Sequence, residues 1–293
     1  MREIVFLNSE IEKFFSNQDP FQKAKEIEGT IFRDFANRVT KEFKINENSY
    51  FIKVHLGLGW REIFKNYAQF KQPSFGAYDE WKALNKLQEI GIKCPEPVAF
   101  GRQGTNLGKL ESFIITKSLG NTISLEDLTL QWKEKPPLKA MRDSVLKNVA
   151  VLCKRMHYEG INHRDLYLCH FHVKKDDPSE ATYLIDLHRA QLRKQLPNRW
   201  RVKDIGGLLH SAIDLNFSKR HFYQFLMIYL NCSLRELFLY HGKFIKSSSE
   251  RAIRMFLKPK INEDLKKLLL SLKGDQELLF LLEKELNKDI KSN

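Results

Sequence analysis

The 293-residue sequence contains no apolar run close to the ~20 residues that a membrane-spanning helix needs. Residues 1–8 include an acidic side chain and only a brief apolar stretch, so we do not expect a secretory signal peptide. The four cysteines are scattered and show no Cys-x-x-Cys spacing. We therefore expect reduced thiols, no zinc site and a cytoplasmic protein.

A glycine-rich phosphate-binding loop is also missing, because the pattern Gly-x-Gly-x-x-Gly does not occur. Residues 28–33 contain one glycine and could form the turn of a first β-hairpin. The run Gly57-Leu58-Gly59 predicts a turn in which glycine gives the backbone its freedom. Neither segment predicts a phosphate cradle.

Negative charge is scarce relative to positive charge, and the formal net charge is +13. Such an excess attracts nucleic acid, anionic lipid or an acidic partner. The alternative is a basic surface without an anionic target. Because no zinc finger, RNP-type motif or arginine-glycine segment occurs, an anionic lipid or saccharide is favoured and nucleic acid is not.

The first third of the chain predicts strands around a helix. Residues 49–56 alternate apolar and polar side chains, which predicts a strand with Lys53 on the face opposite Ile52 and Val54. Residues 79–88 predict a helix that stops at Gly91. A further strand is predicted at residues 111–116, before a loop at 117–121 that could join two lobes.

From about residue 122 the pattern becomes mainly helical. One long amphipathic helix is predicted from an apolar stripe formed by Leu138, Met141, Val145, Val149, Leu152 and Met156. Gly160 closes this helix, and two short strands are predicted around 171–173 and 183–185. Helices with apolar faces are predicted from Asp204 to the end.

The triplet His163-Arg164-Asp165 is followed twenty-one residues later by Asp186, at the end of an apolar strand. A protein-kinase-type site needs one carboxylate near the acceptor hydroxyl and a second on Mg²⁺, separated by a short hairpin. We therefore predict phosphoryl transfer from ATP. Asp165 would orient the hydroxyl or accept its proton, with His163 and Arg164 in the same catalytic triplet, and Asp186 would bind Mg²⁺.

Four further residues are predicted to form the nucleotide site. A strand lysine held by a helix glutamate can clamp the α- and β-phosphates, which points to Lys53 and Glu80, although Glu62 is a nearby competitor for the second role. Thr116, at the end of a predicted strand, and His170 complete the set.

Two positions depart from the protein-kinase pattern. His170 stands where those enzymes place the asparagine that binds a second metal, and imidazole is a poor Mg²⁺ ligand. Either one metal suffices, or His170 contacts phosphate or a metal-bound water, or it only forms a hydrogen bond within the hairpin. The triplet Asp186-Leu187-His188 replaces Asp-Phe-Gly, and the loss of glycine suggests a loop that does not swing between conformations.

The segment between Asp186 and Asp204 is basic throughout and contains no acid, serine, threonine or tyrosine. Phosphorylation of this loop therefore cannot be an activating switch. We predict a cationic wall beside the site that binds a substrate carrying phosphate or carboxylate. Its proposed members are Arg189, Arg193, Arg199 and Arg201. The alternative is a solvated basic loop.

Several runs resemble the lipopolysaccharide core heptose kinases, and in particular the heptose(I) kinases of Gram-negative bacteria. The resemblance covers roughly residues 50–215 and is most specific in two runs, residues 161–171 and 184–191. The other runs that carry it are Gly59-Trp60-Arg61-Glu62-Ile63, Lys65-Asn66, Gly76-Ala77 and Glu80-Trp81. His170 and Leu187-His188 look normal for this family.

The resemblance implies an α+β, bilobal protein-kinase-like fold forming one kinase domain. Residues 1–118 would form a small β-rich N-lobe and residues 119–293 a larger helical C-lobe. It implies ATP and Mg²⁺ as cofactors, and transfer of the γ-phosphate to O-4 of the first heptose in the lipopolysaccharide inner core. Residue by residue, Asp165 matches the catalytic aspartate, and Lys53 and Asp186 match the nucleotide and metal positions.

The resemblance also implies action at the cytoplasmic face of the inner membrane, with the inner core as partner and without nucleic acid. An acidic protein partner for the basic surface is left open. The alternatives are a kinase of the same fold for another acceptor, such as a Kdo sugar or a protein tyrosine, and a catalytically inactive binding module. Retention of Lys53, Asp165 and Asp186 argues against the inactive module.

Overall fold

An antiparallel sheet of six strands forms the N-terminal part of the chain. The computed structural model describes residues 3–35, 37–57, 59–60, 64, 76–213, 215 and 218–271, and the statements below concern these residues. The strands are β1 (Ile4–Leu7), β2 (Thr30–Phe35), β3 (Arg38–Ile45), β4 (Asn48–His55), β5 (Pro97–Gln103) and β6 (Glu111–Lys117). Their order across the sheet is β1-β5-β6-β4-β3-β2.

The interior strand β4 shows the predicted alternation. Ile52 and Val54 are buried, whereas Lys53 between them points to the opposite face. In the register with β6, Lys53 stands opposite Ile114. Lys53 therefore lies on the same face of the sheet as Ile114, opposite the face that buries Ile52 and Val54.

Two short helices before β2 were not anticipated from the sequence. They are α1 (Ser9–Phe15) and α2 (Pro20–Glu26). The side chains of Asn8 and Asp19 accept hydrogen bonds from the first-turn amides, which is the usual N-cap arrangement. Phe15 and Phe21 are buried and contact the ring of Phe113 on β6, so these helices cover one face of the sheet.

The helix predicted at residues 79–88 is confirmed as α3 (Tyr78–Glu89). Its buried residues are Glu80, Ala83, Leu84 and Leu87, which lie on one face at helical spacing. Gly91 follows in the left-handed region, with φ of 66°. A glutamate on the buried face of a helix needs a partner, and this one points toward β4.

The C-terminal part is mainly helical. Its helices are α4 (Leu125–Glu134), α5 (Lys139–Tyr158), α6 (Asn198–Ala212), α7 (Lys219–Leu230), α8 (Leu234–Tyr240) and α9 (Gly242–Ser271). The apolar stripe of α5 is buried from Val145 to Met156. Leu138, predicted as its first member, is instead 79% exposed, because it precedes the first helical residue and does not share the buried face.

One short strand precedes α4, and four more lie between α5 and α6. They are β7 (Thr122–Ser124), β8 (Ile161–Asn162), β9 (Phe171–Lys174), β10 (Thr182–Leu184) and β11 (Gln191–Leu192). A 3₁₀ turn at Leu168–His170 precedes β9. The predicted hairpin is confirmed as β9 paired with β10, β7 pairs with β9, and β11 pairs with β8. The hairpin brings its two ends side by side.

Two predictions about irregular segments were wrong. Residues 28–33 do not form a hairpin turn, because Thr30 already begins β2 and pairs with Glu42 on β3. The basic segment before Asp204 is not a loop throughout, since α6 begins at Asn198. In the first segment the backbone forms strand hydrogen bonds despite the glycine, and in the second it forms helix hydrogen bonds despite the excess of positive charge.

Two clusters of buried apolar side chains support these elements. The smaller cluster joins α1, α2 and the sheet, and includes Phe15 and Phe113. The larger cluster joins α3 to the C-terminal helices and the β9–β10 hairpin, and includes Leu84, Met156 and Leu184. Among the described residues, no helix is long and apolar enough to cross a bilayer.

Candidate active site

An ion-pair network joins the sheet, α3 and the segment that follows β10. The Nζ atom of Lys53 lies 2.7 Å from Oε1 of Glu80 and 3.1 Å from Oδ1 of Asp186. Burial by itself lowers the pKa of Lys53, but the charges of Glu80 and Asp186 outweigh burial and raise the pKa above its ordinary value. Lys53 is therefore a fixed cation between two carboxylates. Glu62, the competing partner, lies outside the described residues.

Asp186 is held as an ionised carboxylate in a strained backbone position. Its φ of 59° is left-handed, a region that short polar residues tolerate better than others. Oδ1 accepts a hydrogen bond from Nδ1 of His188 at 2.8 Å. Burial by itself raises the pKa of Asp186, but the hydrogen bond from His188 and the charge of Lys53 hold the pKa well below its usual range.

The carboxylate of Asp186 is a suitable ligand for Mg²⁺. This ion keeps several waters and binds proteins through one or two carboxylates together with substrate phosphates. In the part of the chain that the structure describes, no cluster of three or more His, Cys, Asp or Glu side chains is arranged as a metal site. Nε2 of His170, 3.7 Å from Oδ2 of Asp186, is a weaker ligand type for Mg²⁺. The donor set therefore fits one Mg²⁺ shared with phosphate.

The catalytic triplet lies in a tight turn directly after β8. Arg164 adopts φ of 74°, which is rare for a residue with a side chain. The backbone amides of His163 and Arg164 donate to Oδ2 and Oδ1 of Asp204 at 2.7 and 2.9 Å. Asp204 is 1% exposed. A buried carboxylate on α6 thus fixes the backbone just before Asp165.

A hydrogen-bond network connects the Asp204 carboxylate with the helical core. Nε2 of His157 on α5 lies 3.2 Å from Oδ2 of Asp204, and Nδ1 of His157 is 2.8 Å from the hydroxyl of Tyr229 on α7. Nε of Arg201 donates to the Tyr229 hydroxyl at 2.9 Å. Three helices are therefore tied to the catalytic turn through one buried network.

Two stacked imidazoles connect the catalytic turn with the segment before Asp186. The rings of His163 and His170 are stacked with centroids 5.3 Å apart. Nδ1 of His170 donates to the carbonyl of Asp165 at 2.6 Å, and Nε2 of His163 donates to the carbonyl of Ile185 at 2.9 Å. Burial lowers the pKa of His163, so its imidazole is neutral and packs as a spacer. These bonds connect the turn that carries Asp165 with the segment that carries Asp186.

The carboxylate of Asp165 is paired with Arg189. Nη1 of Arg189 donates to Oδ1 at 2.7 Å and to Oδ2 at 2.9 Å. The Asp165 side chain is 17% exposed and that of Arg189 is 39% exposed. The guanidinium therefore lies on the solvent side of the carboxylate.

A cavity of about 460 Å³ lies between the sheet and the hairpin. The residues predicted for the nucleotide and metal sites all line it, namely Lys53, Glu80, Thr116, His170 and Asp186. Phe51 and Leu84 supply apolar walls, and Arg33, Arg38 and Lys117 add positive charge at its edge. A volume of this order and a mixed apolar and cationic lining suit a nucleoside triphosphate.

Comparison with known proteins identifies the family to which the chain belongs. Residues 22–229, well over half of the sequence, match the model of the lipopolysaccharide kinase (Kdo/WaaP) family. The chain belongs to this family. The lipopolysaccharide core heptose(I) kinase WaaP of Pseudomonas aeruginosa is 37% identical over 235 residues, which is 79% of this chain and 88% of that protein. The WaaP of Escherichia coli is 36% identical over 256 residues, covering 86% and 97%.

A solved structure agrees with this membership of the lipopolysaccharide kinase family. The structure titled "WaaP in complex with acyl carrier protein" superimposes with a TM-score of 0.75 at 30% sequence identity. It covers 87% of this chain, and all of that chain is matched. The predicted kinase-like fold is thereby confirmed. Its sheet lies in the N-terminal part of the chain and most of its helices lie in the C-terminal part.

The arginines of the cationic wall fall into different places in this family member. Arg189 contacts Asp165, as described above. Arg193 donates to the side chains of Asn162 and Gln191, and its guanidinium lies 4.8 Å from the ring centroid of Trp200. Arg199 lies 5.4 Å from the same ring.

Arg201 points instead into the helical part of the protein. Its guanidinium lies over the rings of Tyr229 and Phe244, with distances to the ring centroids of 5.3 and 5.4 Å. Together with its hydrogen bond to the Tyr229 hydroxyl, these contacts favour a packing role. We do not keep Arg201 in the acceptor-binding set.

The sequence did not reveal the roles of Asp204 and His188. Asp204 marked only the end of the basic segment, and no spacing rule relates it to His163, about 40 residues earlier. A carboxyl group that opens an apolar run on an amphipathic helix was the available signal. His188 was noted as a departure from the protein-kinase pattern, and its hydrogen bond to Asp186 became visible only in three dimensions.

Proposed function

We propose that the protein transfers the γ-phosphoryl group of ATP to O-4 of the first heptose of the lipopolysaccharide inner core. The observation that carries this proposal is the joined set of Lys53, Glu80 and Asp186 in one cleft, with Asp165 on the adjoining turn. The match with heptose(I) kinases over more than three quarters of the chain supports the choice of acceptor.

Each residue of this set has a distinct proposed role. Lys53 would pair with the α- and β-phosphates, with Glu80 holding the ammonium in place. Asp186 would hold Mg²⁺, which supplies charge neutralisation on the phosphates when bound. Asp165 would orient the acceptor hydroxyl and accept its proton. The acceptor oxygen then bonds to the γ-phosphorus while the bond to the β–γ bridging oxygen breaks and ADP leaves.

The proposed acceptor carries negative charge, and the cationic side chains near Trp200 fit this. Nζ of Lys203 lies 4.4 Å from the Trp200 ring centroid, and Arg193 and Arg199 approach the same ring. Burial and the neighbouring charges of Arg251, Arg164 and Arg199 lower the pKa of Lys203. Cations that crowd one another are stabilised by an anion, such as a phosphate or an acidic sugar of the inner core.

We place the protein at the cytoplasmic face of the inner membrane as a peripheral protein. The acceptor is anchored in that membrane by its lipid, and a net charge of +13 favours approach to an anionic surface. ATP is supplied on the same side. Sedimentation with anionic vesicles at low salt, and release at high salt, would test this placement.

An acyl carrier protein is the proposed protein partner. Its support is the matched structure, in which a WaaP is in complex with an acyl carrier protein. A second cavity of about 590 Å³ lies among α4 to α7 and α9, with Leu146, Leu208 and Phe225 in its apolar lining. Arg142 and Lys219 belong to the same lining and would face an acidic surface. Binding of acylated but not of chain-free carrier protein would support this proposal.

Labelled phosphate transfer tests the proposed reaction directly. Wild type and Asp165→Ala are incubated with γ-labelled ATP, Mg²⁺ and lipopolysaccharide that lacks core phosphate. We expect label in the lipid with wild type, and a loss of about 10²-fold or more for Asp165→Ala, because a positioned general base contributes about that much. ATP binding and the fold of the variant should be retained.

Other outcomes of this experiment reassign the activity. Label in a Kdo sugar or in a protein tyrosine, from an acceptor panel, would keep the kinase and replace the heptose. Absence of turnover with every acceptor would favour a binding module with a kinase-like fold. Near-normal transfer by Asp165→Ala would remove Asp165 from the catalytic role.

A further inference from the structure

We propose that Arg189 caps the catalytic carboxylate of Asp165 until an anionic group of the acceptor draws the guanidinium away. The charge of the acceptor would then release the base that its own hydroxyl needs. This inference rests on the proposed function, because it assumes that Asp165 receives the acceptor proton. It makes Arg189 a specificity-determining residue of the same site.

The contact between the two side chains occupies both oxygens of the carboxylate. A single nitrogen, Nη1 of Arg189, donates to Oδ1 and to Oδ2 at 2.7 and 2.9 Å. A general base has to lie within about 2.6–3.2 Å of the hydroxyl it deprotonates. The guanidinium occupies this space as a cation hydrogen-bonded to both carboxylate oxygens.

The guanidinium is the more accessible member of the pair. The side chain of Arg189 is 39% exposed, against 17% for Asp165. An acceptor that approaches from solvent therefore meets Arg189 before it meets the carboxylate. A phosphate or carboxylate on that acceptor offers anionic oxygens that a guanidinium binds, as Arg189 binds the carboxylate of Asp165.

The surroundings favour an additional anion near Arg189. Burial lowers the pKa of Arg164, and the charge of Arg189 contributes next, ahead of the opposing effect of Asp165. Arg193 adds to the same repulsion. The charges of Arg189 and Arg193 thus act on Arg164 against those of Asp165 and Asp204, and an additional anion reduces the repulsion when Arg189 exchanges partners.

The backbone around Arg189 is fixed, so the exchange is a rotation of its side chain. Leu187 and Ala190 on either side are 0% and 1% exposed. The amide of Ala190 donates to the carbonyl of Leu187 at 2.9 Å, which closes a turn. The rotation needs no movement of the loop, in keeping with the missing glycine after Asp186.

The test compares charged and neutral acceptors in wild type, Arg189→Gln and Arg189→Lys. The acceptors all have a free O-4 on the first heptose. They are an inner-core saccharide that keeps its carboxylates and its other phosphates, the same saccharide with carboxyl groups reduced, and the same saccharide after removal of those other phosphates. Arg235→Gln on α8 is the control, because Arg235 is an exposed arginine of the helical part that takes no part in the site contacts described here.

Wild type and Arg235→Gln should prefer the charged saccharide by about tenfold or more in kcat/KM, and Arg189→Gln should reduce this preference to about threefold or less. The treatment that lowers wild-type transfer, reduction of carboxyl groups or removal of phosphate, identifies the anion that Arg189 recognises. Without acceptor, Arg189→Gln should hydrolyse ATP at least about threefold faster than wild type, because water can reach Asp165.

Three results would overturn the proposal. They are an equal loss with every acceptor in both Arg189 variants, a wild type that does not discriminate by charge, and an ATP hydrolysis rate unchanged by Arg189→Gln. If Arg189→Gln fails to fold, Arg189→Lys provides the test. Its preference for the charged saccharide should be smaller than that of wild type but larger than the value of about threefold expected for Arg189→Gln. Wild type that hydrolyses ATP but labels no saccharide would refute the proposed function, while faster hydrolysis by Arg189→Gln would still support the cap.

Discussion

Asp204 shows how one buried side chain can determine the geometry of a catalytic turn. It accepts hydrogen bonds from the amides of His163 and Arg164, and Arg164 is left-handed. These two hydrogen bonds offset the backbone strain of Arg164, which is of order 1–3 kcal/mol. The carboxylate is chemically remote from the reaction, yet it positions Asp165.

Asp204→Asn should destabilise the protein by about 2–4 kcal/mol, because the new amide group would face an N–H donor and leave it without a partner. Transfer activity should fall even under conditions in which the variant is folded. Urea denaturation and the labelled-transfer assay measure the two effects. Asp79→Asn is the control, since Asp79 forms an exposed pair with Lys82 that contributes little. Equal stability of the two variants would contradict the role of Asp204.

His55 at the end of β4 gives a prediction for the pH dependence of stability. Burial, followed by the charges of Arg38 and Lys53, lowers its pKa to about 3. Its Nε2 atom is buried and has no hydrogen-bond partner among the described residues. Between pH 6.5 and 3 the unfolded chain therefore binds a proton that the folded protein does not.

The free energy of unfolding should consequently decrease as the pH falls below about 6.5, by up to about 1.4 kcal/mol per pH unit from this histidine. His55→Gln should make the decrease shallower. Urea unfolding at pH 7.5, 6.0 and 5.0 measures both slopes. A slope in His55→Gln identical to that of wild type would show that His55 is not the group responsible.

At the scale of elements, the junction between α5 and β8 determines where the catalytic turn begins. Gly160 follows the end of α5 and has φ of 76°. The next residue, Ile161, begins β8. A Cβ atom at Gly160 would lie 1.8 Å from the carbonyl oxygen of Arg193. The close approach belongs to the pairing of β8 with β11, which joins the catalytic turn to the basic segment.

Gly160→Ala should therefore destabilise the protein by more than the left-handed conformation alone requires, by about 3 kcal/mol or more, since backbone has to move. Gly120→Ala is a matched control. Gly120 has φ of 70° with nothing within 4 Å of its added Cβ, so it should cost only about 1–2 kcal/mol. Thermal unfolding of the two variants measures the difference, and similar losses would mean that β8 and β11 can separate without cost.

At the scale of the whole molecule, Lys53 connects parts of the fold that are far apart in the sequence. It reaches Glu80 on α3 and Asp186 after β10, 133 residues away. A nucleotide bound in the cleft would contact the sheet and the hairpin together. Because a ligand that binds only the folded state stabilises it, nucleotide binding is measurable without turnover.

ATP with Mg²⁺ at about 100 times its Kd should stabilise the wild type by about 2.7 kcal/mol and raise Tm by about 5 °C. Lys53→Met should lose most of this increase, whereas Lys246→Met, a change of an exposed lysine on α9, should keep it. Differential scanning calorimetry measures the shift. A full shift in Lys53→Met would remove Lys53 from the nucleotide site.

Much of the fold was predictable because its signals are local and periodic. Alternation in residues 49–56 gave β4, and a face of Ala83, Leu84 and Leu87 gave α3. Where the signal came from a single residue type it failed, as with the glycine in residues 28–33 and the charge before Asp204. Strand pairing and helix packing prevail over such signals, since each adds several hydrogen bonds and buried contacts.

The sequence by itself determined the residue types of the site and the order of its elements. The spacing of Asp165 and Asp186 around a hairpin, and a lysine on a preceding strand, require only local structure to be recognised. The choice of Glu80 as the partner of Lys53 was also available, because it lies on the face that an amphipathic α3 buries.

Only the tertiary structure decided which of the charged side chains meet. It paired Arg189 with Asp165, turned Arg201 toward Tyr229 and placed Asp204 beneath the catalytic turn. The physical reason is that a charged side chain in a folded protein takes the partner that packing brings within about 3 Å, and this partner can lie anywhere in the sequence. Periodicity reports the face on which a side chain lies, but it contains no information about what stands opposite.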